Sequence, residues 1–231
     1  MEVTITDPSS DPLSSPGDSF ILRPDIMQRL DFPGLFGRNA PVELELGAGD
    51  GSFLIRHAAL HTDHDFIGVE RLLGRLRKID RKARRQGLTN VRALRLEASY
   101  VLEWMVPAGS LEAVHVYFPD PWPKRRHWKN RLINTRFTEL VARAVRPGGH
   151  FHVRTDNEPY FNQMMEVGMA QSDFTRVETP GSLLGVVTDF ESDFHQQGIP
   201  TRHATWRIQP VAKPAPDFQK APEADRIGTD V

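Results

Sequence analysis

Val42-Glu43-Leu44-Glu45-Leu46-Gly47-Ala48-Gly49-Asp50-Gly51-Ser52 is the stretch that decides the fold of this 231-residue chain. The apolar-rich run at 42–46 predicts a strand, the glycines break it, and Ser52 opens a helical pattern over 52–61. Strand, glycine turn and helix make half of a β-α-β unit, and the units continue outward. Strands are expected over 66–69, 91–96, 111–118 and 151–155, with helices over 72–86, 130–144 and 158–170 and a short one near Val101. Pro147-Gly148-Gly149 stops the 130–144 helix. A strand over 174–177, a loop, a short helix over 189–197 and a last strand over 201–208 complete the pattern. Parallel neighbours need a crossover element, so the alternation predicts an α/β chain: a mainly parallel sheet with helices on both faces and an antiparallel final strand.

The ends read differently. Residues 1–19 are rich in Ser, Pro and Asp, and 211–231 are poor in large apolar side chains; both are expected to be flexible tails around a single domain, 20–210. With 39% hydrophobic residues and no long apolar run, the chain is not expected to enter a membrane. It has no cysteines and no secretory-signal layout, which points to the cytoplasm. The formal net charge is −1, but the charge is segregated. Residues 1–22 carry Glu2, Asp7, Asp11 and Asp18 without a Lys or Arg, whereas 71–85 carries Arg71, Arg75, Arg77, Lys78, Arg81, Lys82, Arg84 and Arg85 against Asp80 alone. Local patches of this kind govern binding to phosphates.

In an open α/β sheet, ligands bind beyond the carboxyl ends of the strands, and Gly47, Glu70, Glu97, Asp120 and Asp156 each fall just after an expected strand. Gly47, Gly49 and Gly51 permit positive φ and close approach of a ligand to the main chain. A glycine turn without a ligand is the plain alternative. Glu70 follows the second strand about 20 residues on, where a carboxylate accepts hydrogen bonds from ribose hydroxyls. Together these residues point to an adenosine-type cofactor. The dinucleotide fingerprint is G-x-G-x-x-G, built around a pyrophosphate, whereas this loop is G-x-G-x-G. S-adenosylmethionine has no phosphates, so Glu45 beside the loop is tolerable for it and would repel a pyrophosphate. Glu97 is placed either to accept from the adenine amino group or to sit as a solvated residue at a helix N-terminus.

Phe118-Pro119-Asp120-Pro121-Trp122-Pro123-Lys124-Arg125-Arg126-His127 follows the fourth of these strands. Three prolines in five residues restrict the backbone, so Asp120 and Trp122 are held in place. An aromatic can wall in a nucleobase while a carboxylate hydrogen-bonds its N–H groups. Guanine N7 already bears an in-plane lone pair and needs no general base; it needs alignment with the donor and compensation for charge appearing on the purine, both of which Asp120 can supply. A Pro-rich turn with Trp122 as a core anchor is the plain alternative.

The chain resembles the bacterial tRNA (guanine-N7)-methyltransferases over 35–207. The resemblance is carried by Leu35-Phe36-Gly37, Glu45-Leu46-Gly47, Gly68-Val69-Glu70, the 118–124 segment, Thr155-Asp156-x-Glu158-Pro159-Tyr160 and Thr188-x-Phe190-Glu191. It implies a Rossmann-like class I S-adenosylmethionine-dependent methyltransferase fold, with cofactor contacts at Glu45, Glu70, Glu97 and Asp120 and with Asp120 as the catalytic residue. It further implies substrate contacts at Lys124, Asp156, Thr188 and Glu191, and a target guanine in the tRNA variable loop. Glu97 stands where the family more often has Asp or Asn, and Asp193 where it is commonly basic.

Lys124, Arg125, Arg126, Lys129 and Arg131 are expected to track tRNA phosphates while Trp128 packs or stacks. The basic 72–86 helix reads equally as a solvated face, and Asp156 by itself as a helix cap. His150 and His152 share one side of a strand without an evident third ligand, so no metal is expected. No obligatory protein partner is expected either. The competing functions are methylation of another RNA or heteroaromatic nitrogen, and a noncatalytic RNA-binding module.

Overall fold

A computed structural model describes residues 20–210; the expected tails, 1–19 and 211–231, lie outside the described residues. The strands are β1 (Ile21–Leu22), β2 (Val42–Leu46), β3 (Asp65–Val69), β4 (Val91–Leu94), β5 (Leu111–Tyr117), β6 (Val145–Thr155), β7 (Phe174–Val177) and β8 (Arg202–Ile208). They form one eight-stranded sheet in the order β1-β4-β3-β2-β5-β6-β8-β7. Every pair from β1 to β6 is parallel, and β8 runs antiparallel to both β6 and β7. The strand order reverses between β2 and β5, which is where such sheets open a crevice for a ligand.

The helices are α1 (Phe32–Phe36), α2 (Ser52–Leu60), α3 (Leu73–Arg85), α4 (Ala98–Tyr100), α5 (Thr135–Ala144), α6 (Glu158–Ala170), α7 (Gly181–Leu184) and α8 (Asp189–Gln196). A π-helical turn, Val101–Met105, continues α4, and a 3-10 turn, Arg125–Asn130, precedes α5. Alternation along the strands separates two cores. Leu44, Ile67, Val114 and Val116 pack with Leu102, Phe137, Val141, Tyr160 and Met164 on one side. Phe66, Val91 and Ala93 pack with Leu54, Ile55, Leu76, Ile79 and Ala83 of α2 and α3 on the other. The apolar stripe of α3 is thus Leu76, Ile79 and Ala83, at the spacing of one helical face, and its arginines and lysines ride on the outside.

Close backbone packing explains the glycines of the α2 side. A Cβ on Gly68 would lie 2.6 Å from Leu54, and one on Gly51 2.8 Å from Ile79, so the third glycine of the loop seats α2 against α3. The helix ends at Ala144 as expected, but β6 starts at Val145, so Pro147-Gly148-Gly149 lies within the strand and is not what stops the helix. The ladder with β5 survives through a register shift between Leu111 and Ala113, and a Cβ on Gly149 would lie 2.5 Å from the Glu112 carbonyl oxygen. Helix α5 begins at Thr135 rather than at 130, where Asn134 caps it by accepting from the Phe137 N–H at 3.1 Å.

Candidate active site

An open cleft of about 870 Å³ lies over the carboxyl ends of β2, β3, β4 and β5, and Gly47, Glu70, Glu97 and Asp120 all line it. Gly47 and Gly49 hold φ of 78° and 56°, left-handed backbone that turns the chain sharply out of β2. Glu70 braces that turn from the end of β3. One of its oxygens accepts from the Gly49 N–H at 3.1 Å, the other from the Leu72 N–H at 2.8 Å. Oε1, the one bonded to Leu72, keeps a lone pair for a ligand hydroxyl, while Oε2 also faces the Arg75 guanidinium at 3.7 Å. Glu97 caps α4, accepting from the Tyr100 N–H at 2.8 Å, so the helix-terminal reading holds while the side chain still borders the cleft. Arg71, Arg75 and Arg95 add a cationic rim near the glutamates.

Asp120 stands exposed on the far wall. The residues around it are held harder than the prolines alone require. Phe118 and Trp122 have φ of 50° and 45°, a conformation that costs a residue with a Cβ about 1–2 kcal/mol. The surroundings enforce it. Phe118 donates its N–H to the Arg154 carbonyl at 2.8 Å, and the Arg131 guanidinium donates to the Pro121 carbonyl at 2.8 Å. Arg131 is therefore not a phosphate-tracking residue: it is 1% exposed, donates also to Gln163 Oε1 at 2.9 Å, and lies 4.2 Å over the Trp128 ring and 4.7 Å over Tyr160. Lys124, Arg125, Arg126 and Lys129 remain exposed beside it. Trp122, 37% exposed, meets His127 edge to face and also lines the cleft.

Other expected contacts fall outside the cleft. Glu45 points into the interior beneath the glycine loop, 4% exposed; Leu54 of α2 offers it a backbone hydrogen bond, and its Oε2 has no partner. Burial pushes its carboxyl up to about 8 despite the nearby Arg154 charge. Gly49 and Gly51 shape the loop without lining the cleft. Thr188 and Glu191 form the capping box of α8: the Glu191 N–H donates to Thr188 Oγ1 at 3.0 Å, and Glu191 Oε2 accepts from the Thr188 N–H at 3.4 Å. Glu191, 6% exposed, also accepts from Arg154 at 2.8 Å and from the Thr201 hydroxyl at 3.1 Å. Asp156 follows β6 half-buried, and the cap of α6 is the next residue, Asn157, which accepts from the Tyr160 N–H at 3.0 Å. Lys124 opens the exposed 3-10 turn.

Arg154 ties these parts together, and sequence reasoning passed over it. Its guanidinium is 1% exposed, lies 4.5 Å over the Tyr117 ring, and donates to the carbonyls of Leu183 and Val186 as well as to Glu191. It thereby draws the α7–α8 segment against the end of β5, where Phe194 packs on Phe118 at 5.6 Å. A full charge inside the short strand Phe151-His152-Val153-Arg154-Thr155, at the centre of the expected sheet, demands a buried partner, and that was the available signal.

A family described as "Putative methyltransferase" matches residues 39–205. The chain is 40% identical over 184 residues to a tRNA (guanine-N(7)-)-methyltransferase of Cronobacter sakazakii, covering 78% of this chain and 75% of that one. It is 39% identical over 182 residues to the protein of that name from Sodalis glossinidius, with coverages of 78% and 76%. Among solved structures, the 16S rRNA methyltransferase KamB superposes with a TM-score of 0.57 at 18% identity, over 78% of this chain and 93% of that one. A 30S ribosomal methyltransferase from an uncultured bacterium superposes with a TM-score of 0.54 at 15% identity, over 76% and 91%. These two likenesses speak to the fold, the Rossmann-like sheet of class I methyltransferases, whereas the sequence relatives speak to descent: the chain belongs to the tRNA (guanine-N7)-methyltransferase family.

Proposed function

We propose that this protein transfers the methyl group of S-adenosylmethionine to N7 of a guanine in the variable loop of tRNA. The observation that carries the reading is the cleft at the strand-order reversal, where Glu70 and Glu97 face Asp120 across one opening. The residues fit the donor. The turn at Gly47 leaves open space where a Cβ would stand, Glu70 retains acceptor capacity for ribose hydroxyls, and Glu97 borders the same wall. Bound there, S-adenosylmethionine would supply an electrophilic methyl group on a sulfonium.

The protein's own contribution is placement and charge. Asp120 accepts N–H bonds from the guanine and offsets the positive charge that develops on the purine. The strained Phe118–Trp122 backbone, pinned by Arg131 and the Arg154 carbonyl, keeps that carboxylate from relaxing away. Trp122 offers a ring to wall in the base. Lys124, Arg125, Arg126 and Lys129 engage tRNA phosphates beside the cleft. Thr188 and Glu191 act by holding α8, and Glu45 by supporting the loop from below, while Asp156 contacts substrate from the end of β6.

Incubation with labelled donor and unmodified bulk tRNA, followed by nucleoside analysis, tests the reading; 7-methylguanosine is expected. Asp120→Ala should lower turnover by about a hundredfold or more while leaving the fold intact. Methylation of a different base, or wild-type turnover in Asp120→Ala, would overturn it.

A further inference from the structure

Three imidazoles converge on one buried carboxylate beneath α2, apart from the cleft. Glu43, the second residue of β2, is 6% exposed; its Oε2 lies 3.1 Å from His57 Nε2 and 2.7 Å from His115 Nε2, and its Oε1 lies 2.7 Å from His64 Nδ1. The ligand-capable atoms of Glu43, His57 and His115 all lie within 4.8 Å of one another. The four residues come from β2, α2, the turn before β3 and β5, elements that meet only because the chain folds. The methyl-transfer chemistry uses none of them.

We propose that Glu43, His57 and His115 form a binding site for one divalent cation of the zinc type, with His64 holding the carboxylate through its other oxygen. Imidazole nitrogen with a carboxylate oxygen is the donor set such ions take, and three protein ligands with a water complete a tetrahedral site. Bonds of about 2.0–2.2 Å place tetrahedral ligand atoms about 3.3–3.6 Å apart, so the 2.7 and 3.1 Å contacts to Glu43 Oε2 must open by less than about 1 Å and the two imidazole nitrogens, within 4.8 Å of each other, must close by at most about 1.5 Å. One of the imidazoles already has an outer partner: His115 Nδ1 lies 2.8 Å from Tyr117 Oη. Such partners fix ring orientation in metal sites.

Burial favours the neutral form of His115, which is the form that ligates. The His64 ring is 24% exposed and gives the ion a path in from solvent. On binding, an imidazole proton facing Glu43 leaves to water or moves to the other ring nitrogen, which on His115 faces Tyr117 Oη. His150 and His152, the pair that sequence spacing singled out, stack at 5.7 Å, and His152 Nδ1 is taken by Thr205 Oγ1 at 2.9 Å. The proposed ion therefore sits one strand over, where it fastens α2, the helix opened by the glycine loop, to β2 and β5.

The test uses the full chain, stripped of metal by a chelator and re-equilibrated, then titrated with Zn²⁺ alone by calorimetry and with Co²⁺ alone by visible spectroscopy. One equivalent of Zn²⁺ should bind saturably and raise the thermal midpoint, and Co²⁺ should show the intense bands of a tetrahedral site. Glu43→Gln should abolish binding. His64→Asn, at the exposed edge, should weaken it by at least about tenfold. His195→Asn, outside the cluster, should change nothing. The proposal is overturned if the folded wild-type chain binds no Zn²⁺ saturably, or if binding persists unchanged in both Glu43→Gln and His64→Asn.

Discussion

Glu191→Ala separates two roles for a residue that family resemblance places against substrate and that the structure places inside the protein. The Arg154–Glu191 pair is 2.8 Å apart with side-chain exposures of 1% and 8%, so removing the acid strands a buried guanidinium. Breaking a buried pair from one side costs about 3–5 kcal/mol. The lost acceptor for the Thr188 N–H and the Thr201 hydroxyl adds about 1 kcal/mol. Against a whole-domain stability of about 5–15 kcal/mol, the variant should lose about 4–6 kcal/mol. Urea unfolding reads this as a lower midpoint at unchanged slope. Glu191→Gln keeps the acceptor and should lose less. At low temperature, where the variant remains folded, tRNA methylation should fall far less than stability does. If Glu191→Ala unfolded within about 1 kcal/mol of wild type while methylation collapsed, the buried-pair reasoning would be wrong and Glu191 would be a substrate contact.

Glu45 makes stability depend on pH. Burial pushes its carboxyl up to about 8 in the folded chain against 4.5 as reference, so between those values the unfolded chain releases a proton that the native one keeps, and stability falls as pH rises. Glu45→Gln should escape that loss, gaining on wild type by up to about 5 kcal/mol as pH climbs through the window; parallel stability curves would refute it. Gly51→Ala should destabilise by about 2–4 kcal/mol, because φ is 79° and the new Cβ would meet Ile79 at 2.8 Å; thermal melts in the absence of donor would show it. Lys124→Ala should weaken tRNA binding and lower the salt dependence by about one phosphate contact, measured as affinity against ionic strength; an unchanged slope would remove Lys124 from the phosphate path.

The 42–52 stretch could be read in advance because a central strand, a positive-φ turn and a helix start each leave a local mark, and Glu70, Glu97 and Asp120 follow from the rule that loops after parallel strands face the ligand. β1 and α7 left no such mark. β1 is two residues at a sheet edge, and α7 is the four-residue run Gly-Ser-Leu-Leu; both exist through tertiary contacts. Arg131 looked like one more cation in a basic run, since its partners Pro121, Pro159 and Gln163 are brought to it only by folding. Thr188-Asp189-Phe190-Glu191 carried its structural meaning openly, a Thr-x-x-Glu capping box, beneath the substrate role that resemblance attached to it. The Glu43 cluster was invisible because its members are spread from 43 to 115.

The last strand in sequence, β8, threads between β6 and β7, and β7 has no other neighbour among the described residues. During synthesis, then, β6 waits with a bare edge and β7 with nothing to pair to until residues 202–208 have left the ribosome, an interval in which the open edge invites aggregation. A premature stop a few codons before Arg202 would not merely shorten the protein. It would leave the sheet open beside β6, the strand that carries Arg154, and strip the cell of the enzyme as surely as a lesion in the cleft.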